Sequence, residues 1–221
     1  MIIHDVLTAP ELAWVRSLTG RGRCEDGRAS ALGIARSVKD NQQYSFNATE
    51  SQALADMTFT ALRRSGTFFR FALPLEVSTP MINRYAEGKS YGLHYDSTLM
   101  PSPSGQEIRA DLSVTLFVSD PADYDGGDLC IQTASGESRN KLAAGDMIVY
   151  PSCLLHQVLP VTRGAREAVV FWVQSRVRDH EQRNLLYRMD CAVGGLSAQL
   201  PESADVRELV GVFQNLARMW V

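Results

Sequence analysis

The sequence predicts a mainly β domain braced by helices at both ends. Three observations carry this expectation. Residues 75–178 break into short runs of β-forming residues separated by turn residues, the pattern of an antiparallel sandwich or barrel. The segments before and after repeat their apolar residues with a helical period. A chain of 221 residues, 45% hydrophobic and 21% charged, is long enough to bury one sizeable core.

Taken in order, "TAPELAWVRSLTG" opens with a helix that Thr8 can cap, with Pro10 in its first turn and Gly20 at its end. "TESQALADMTFTALRRSG" is a second helix. Thr49-x-x-Gln52 has the form of a capping box, and Leu54, Met57, Thr58, Ala61 and Leu62 fall on one face. "MINRYAEG" and "YGLHYD" read as extended, and "DLSVTLFVSD" alternates. "DGGDLCIQT" starts at a Gly-Gly turn, and Gly145-Asp146 precedes another apolar run. "HQVLPVTRGAREAVVFWVQSRV" reads as two paired strands joined by a turn around Thr162 to Gly164. After Asp179 the helical period returns. Val206, Leu209, Val210, Phe213, Leu216 and Trp220 share a face expected to pack on the β-core. The chain thus divides into a helical and extended region at 1–74, a β-core at 75–178 and a C-terminal helical extension at 179–221. No shift in composition separates them into independent domains.

The formal net charge is −3, from 22 Lys+Arg against 25 Asp+Glu, so no basic surplus points to nucleic acid. No apolar run approaches the ~18 residues of a membrane span. The start lacks the basic-then-apolar order of a secretion signal, and the expected place is the cytoplasm. Cys24, Cys130, Cys153 and Cys191 are scattered without a CxxC pair, as free thiols in a reducing compartment would be. Cys153 and His156 form a C-x-x-H, but no second Cys or His pair lies nearby to complete a structural zinc site.

The chemistry concentrates in a few residues. In a strand, His94 and Asp96 project to one face and Tyr95 to the other. Alone, His-x-Asp is a weak signal. Of the other histidines, His4 and His180 sit in polar surroundings, whereas His156 follows the buried-looking "GDMIVYPSCLL". His94, Asp96 and His156 would form the two-histidine, one-carboxylate set that occupies one face of an octahedral metal, as in non-haem Fe(II) oxygenases. Arg166 lies ten residues after His156, with Ala168, Val170 and Trp172 on its face. A guanidinium in an apolar interior needs an anion. An internal Asp or Glu would serve, and so would a small dicarboxylate whose 2-oxo acid end chelates the iron. That second description fits 2-oxoglutarate.

The order "NRYAEGKSYGLHYD", "DLSVTLFVSDPADYDGGDLCI" and "KLAAGDMIVYPSCLLHQVLPVTRGAREAVVFWVQS" resembles the Fe(II)/2-oxoglutarate dioxygenases of the prolyl-4-hydroxylase group, above all their bacterial PKHD-type hydroxylases. The likeness runs through nearly the whole chain. It implies a double-stranded β-helix, or jelly-roll, core. It implies that His94, Asp96 and His156 ligate Fe(II) and that Arg166 binds the far carboxylate of 2-oxoglutarate. Tyr85 and Tyr91 match tyrosines that line the pocket in relatives, as cosubstrate or substrate contacts or as core. Where animal relatives carry a cosubstrate-binding tyrosine on "DLSVTLFVSD", the counterpart here is Leu116. L-ascorbate is implied as a reductant. Retention of Asp96 favours hydroxylation over halogenation.

The expected reaction consumes O2 and 2-oxoglutarate, releases succinate and CO2, and hydroxylates a small-molecule or peptidyl substrate. The competing reading is an iron- and 2-oxoglutarate-sensing protein linked to iron uptake, without turnover. Segments 20–33 and 104–110 are the expected lids. A homodimer through the C-terminal helices is a further expectation.

Overall fold

In the computed structural model, two antiparallel sheets stack face to face and helices cover the outer face of the larger one. The structure describes residues 1–31 and 33–221. The larger sheet is centred on the long strand Val161–Ser175, with Leu112–Phe117 on one side and Met81–Ala86 on the other. Met147–Pro151 lies beyond Leu112–Phe117. In the smaller sheet, His156–Val158 lies between Leu129–Thr133 and Ser90–His94. This is the expected jelly roll.

Side-chain alternation builds the layers. From strand Leu112–Phe117, Leu112, Val114 and Leu116 join Val169, Phe171 and Val173 in the core beneath the helices. Phe117 faces the other way, into a second core between the sheets with Tyr85, Tyr124, Leu129, Ile131 and Tyr150. Every residue of Leu112–Phe117 is buried, as suits a strand covered on both faces.

The helix Ala9–Arg21 starts at Thr8, whose side chain and that of Glu11 form a reciprocal capping box. The helix Ala48–Arg64 starts earlier than its sequence suggests. Asn47 is the cap and Glu50 its partner, so Thr49 and Gln52 already lie inside the first turns. Leu54, Thr58, Ala61 and Leu62 are buried on the face expected.

Region 1–74 is woven into the core rather than only packed upon it. Ile2–Ile3 pairs with Met147–Pro151, and Gln42–Ser45 with Met81–Ala86. Lys39–Asp40 pairs with Ser90–His94 in the smaller sheet.

Two expectations are corrected. His156–Val158 and Val161–Ser175 do not form a hairpin but lie in opposite sheets. The link Leu159-Pro160 is held by the 126–128 turn: Leu159 N donates to Asp128 O and Gly127 N to Pro160 O. The chain therefore crosses between the sheets, and Arg166 faces His156 across the sandwich. The last helix, Ala204–Trp220, packs on the preceding helix His180–Gln199, not on the β-core. That preceding helix meets Gly66–Ala72 through a Phe71–Tyr187 edge contact and an Arg70–Asp190 ion pair. Among the described residues, no helix is long and apolar enough to cross a membrane.

Candidate metal centre and cosubstrate pocket

His94 and His156 stand directly opposite each other on neighbouring strands. Both are buried, with ring centroids 4.3 Å apart. His94 Nδ1 lies 2.8 Å from Gly92 O, and His156 Nδ1 lies 2.9 Å from Leu154 O. A carbonyl only accepts, so both Nδ1 atoms carry a proton and each ring turns its Nε2 away from these carbonyls. Burial, then the neighbouring His156, lowers the pKa of His94 to about 4, which keeps it neutral near pH 7.

Asp96 lies two residues beyond the end of strand Ser90–His94. Tyr95 between them turns outward, 60% exposed. The Asp96 oxygens approach His94 Nε2 at 3.8 Å and His156 Nε2 at 3.6 Å. Ligand atoms of all three lie within 4.8 Å of one another, a spacing that suits a shared metal ion. Ser113 Oγ, itself 2.8 Å from Ser152 Oγ, donates to Asp96 Oδ2 at 2.5 Å. This bond orients the carboxylate and leaves Oδ1 free.

Arg166 lies deeper in the same pocket and is 1% exposed. Its guanidinium carbon sits 5.2 Å from the Phe117 ring centroid and 5.4 Å from that of Tyr85. Among the described residues its Nε has no hydrogen-bond partner. Adjacent Glu167 is engaged elsewhere, by Tyr44 Oη at 2.5 Å and by Arg84. A buried charge left in this way is costly unless an anion meets it.

Tyr85 and Tyr91 both line the pocket but do different things. Tyr85 is the buried shelf under Arg166. Its hydroxyl pKa is raised to about 12, chiefly by burial. Tyr91 stacks on His94 with centroids 3.5 Å apart and planes within 11°. Val170 and Trp172 are pocket wall rather than closed core. Leu116 lies under the helices and cannot reach the pocket. The residues of its strand that line the wall include Ser113 and Thr115.

Sequence reasoning missed Thr115, Tyr150, Asn83 and Lys39 in this wall. The alternation of "MIVYP" offered a signal for Tyr150. Met147 and Val149 belong beneath the helices, which turns Ile148 and Tyr150 between the sheets. Of the expected lids, segment 20–33 reaches the pocket through Ser30 and Ala31. Segment 104–110 does not line it, and Ser104 instead donates to Glu76 at 2.9 Å. The four cysteines are free and none joins the triad.

Residues 80–174 match the 2OG-Fe(II) oxygenase superfamily, and residues 180–221 match the PKHD-type hydroxylase C-terminal domain. A PKHD-type hydroxylase from Nitrobacter winogradskyi is 45% identical over 99% of this chain and 97% of its own. One from Shigella dysenteriae is 39% identical over 99% and 97%. The chain belongs to the PKHD-type hydroxylases. It is accordingly a 2-oxoglutarate-dependent dioxygenase.

Solved structures of the same fold include a Pseudomonas putida prolyl-4-hydroxylase, at 21% identity and a TM-score of 0.52, covering 79% of this chain and 91% of that one. Another is a Trichoplax adhaerens prolyl hydroxylase, at 18% identity and a TM-score of 0.57, covering 84% and 86%. The residues present fit the groups this family uses. Two imidazoles and a carboxylate suit Fe(II), and a buried unpaired guanidinium suits a dicarboxylate.

Proposed function

We propose that His94, Asp96 and His156 hold Fe(II) and that Arg166 binds the far carboxylate of 2-oxoglutarate. The observation that carries this reading is Arg166: a sealed guanidinium facing a three-ligand cluster, with an orphaned Nε. Tyr85 and Phe117 fix its plane, so a carboxylate meets a preset fork. Tyr91 holds the His94 ring, and Ser113 holds the Asp96 carboxylate. Bound iron with 2-oxoglutarate and O2 supplies decarboxylation to succinate and CO2 and hydroxylation of a substrate C–H bond. The protein binds, orients and encloses.

L-ascorbate serves as the reductant that restores oxidised iron. The substrate is a small molecule or a peptidyl residue entering past Ser30, Ala31 and Met100. Four free cysteines suit a reducing, cytoplasmic setting. The exposed Leu209, Val210, Val212 and Met219 of the last helix offer an apolar face for a homodimer. Sedimentation velocity tests it: a monomer at tens of micromolar excludes the dimer.

Uncoupled conversion of 2-oxoglutarate to succinate, with Fe(II) under air, tests the central assignment. Arg166→Ala should raise the 2-oxoglutarate requirement about 100-fold, or ~3 kcal/mol, as for one partner lost from a buried charge pair. An unchanged requirement excludes Arg166 as the cosubstrate anchor.

A further inference from the structure

The pocket contains one more buried charge. Lys39 is 5% exposed and lines the same cavity as His94, Asp96, His156 and Arg166. It stands opposite Tyr91 on the paired strand, with Nζ 5.2 Å from the Tyr91 ring centroid. Tyr91 in turn stacks on His94, so the ammonium lies one ring away from the metal centre. Its one side-chain hydrogen bond is to Ser30 Oγ at 2.8 Å. Among the described residues no carboxylate lies within ion-pair distance of it: Asp40 is held by Lys89 and Arg28, Asp26 by Arg28, and Asp26 and Asp96 act on it only from further off. Burial lowers its pKa to about 8, yet the amine stays mostly charged near pH 7.

A charge balance shows what Lys39 lacks. With Fe(II) and 2-oxoglutarate in place, the charges of the metal, Asp96, both cosubstrate carboxylates and Arg166 cancel. The uncompensated charge among the described lining residues is then Lys39. A buried ammonium without an anion is unfavourable, and one further monoanion neutralises the filled site. A carboxylate fits this requirement, whereas a phosphate brings close to two charges.

We propose that Lys39 is the substrate-recognition cation and that the enzyme acts on carboxylate-bearing substrates. This rests on the dioxygenase site assigned above. Lys39 and Ser30 would grip the carboxylate at the pocket mouth and so set which C–H bond faces the metal.

Enzyme loaded with Mn(II) and 2-oxoglutarate provides a test without turnover. The probes are N-acetyl amino acids and the matching N-acetyl amino acid amides, neutral and nearly isosteric. Mn(II)-induced relaxation of probe protons reports their binding near the metal. The acids should bind at least about tenfold tighter than the amides. Lys39→Met should abolish that preference while leaving amide and 2-oxoglutarate binding unchanged, and Lys39→Arg should retain most of it. Equal binding of acids and amides, or of neither, overturns the proposal. So does a loss of 2-oxoglutarate affinity in Lys39→Met, which would make Lys39 a cosubstrate contact. If 2-oxoglutarate fails to bind the wild-type Mn(II) protein, the site assignment itself fails, an outcome separate from the acid–amide comparison.

Discussion

Arg166 and Ser113 illustrate two ways in which one side chain serves this pocket. A guanidinium sealed between Tyr85 and Phe117 without a carboxylate opposes folding of the empty protein. Arg166→Leu should therefore leave metal-free stability unchanged or raise it by ~1 kcal/mol. Saturating 2-oxoglutarate with Mn(II) should raise the wild-type melting temperature by about 5–10 °C, the effect of roughly 100-fold excess over Kd on a domain of this size. In Arg166→Leu that rise should be lost. A marked fall in metal-free stability would instead make Arg166 a structural residue. Ser113 acts through Asp96, whose Oδ2 it donates to. Ser113→Ala should weaken Mn(II) binding about 10- to 100-fold in calorimetric titration, the usual range for a residue that orients a ligand. Unchanged affinity would show that Asp96 needs no such support.

Among the elements, the long strand Val161–Ser175 matters most because it carries Arg166. Gly164, two residues earlier, has φ +73°, and a Cβ there would lie 2.2 Å from Asp123 O. Gly164→Ala should cost roughly 3 kcal/mol in urea unfolding and weaken 2-oxoglutarate binding, because the strand can relieve the clash only by shifting. The sequence places a turn at this glycine, but the structure uses its freedom for a close approach to the neighbouring strand Tyr124–Gly126. Local residues specify a backbone conformation, not which sheet the chain enters next, so the hairpin expectation failed there. The helix starts at Thr8 was legible because its capping box is local. The same Glu11 pairs with Arg64, which lowers its carboxyl pKa to about 2. A depressed folded pKa contributes stability above the ordinary carboxylate range and loses it as pH falls from about 5 towards 2. Arg64 is 43% exposed, so solvent screening limits the contribution to about 1 kcal/mol. Glu11→Gln should lose that amount at pH 6.5 and match the wild type only once the pH falls to about 2 or below, by urea unfolding.

For the whole molecule, the sandwich and its helical cover do one job: they bring strands distant in sequence onto one pocket. His94 ends the strand Ser90–His94 and Asp96 follows just beyond it, His156 comes from the neighbouring strand, and Arg166 from the opposite sheet. The triad was legible because its residue types are chemically distinctive and two of them stand two residues apart, although Asp96 lies just past the strand end rather than on its face. Arg166 was legible because a lone charge in an apolar run needs a reason. Lys39 and Thr115 were not, because an ordinary lysine or threonine in a strand carries no sign of which cavity it faces, and for Tyr150 the alternation of "MIVYP" gave a face but no role. The packing of Ala204–Trp220 was missed for a similar reason: an apolar helix face does not say whether a sheet or another helix covers it. The central claim is that one pocket holds iron at the triad and 2-oxoglutarate against Arg166. Anomalous diffraction from crystals loaded with Fe(II) and 2-oxoglutarate without oxygen tests it most directly. The predicted result is an iron peak between His94 Nε2, His156 Nε2 and Asp96, with the far carboxylate of 2-oxoglutarate against Arg166. An iron peak elsewhere, or a cosubstrate carboxylate that does not meet Arg166, would contradict it.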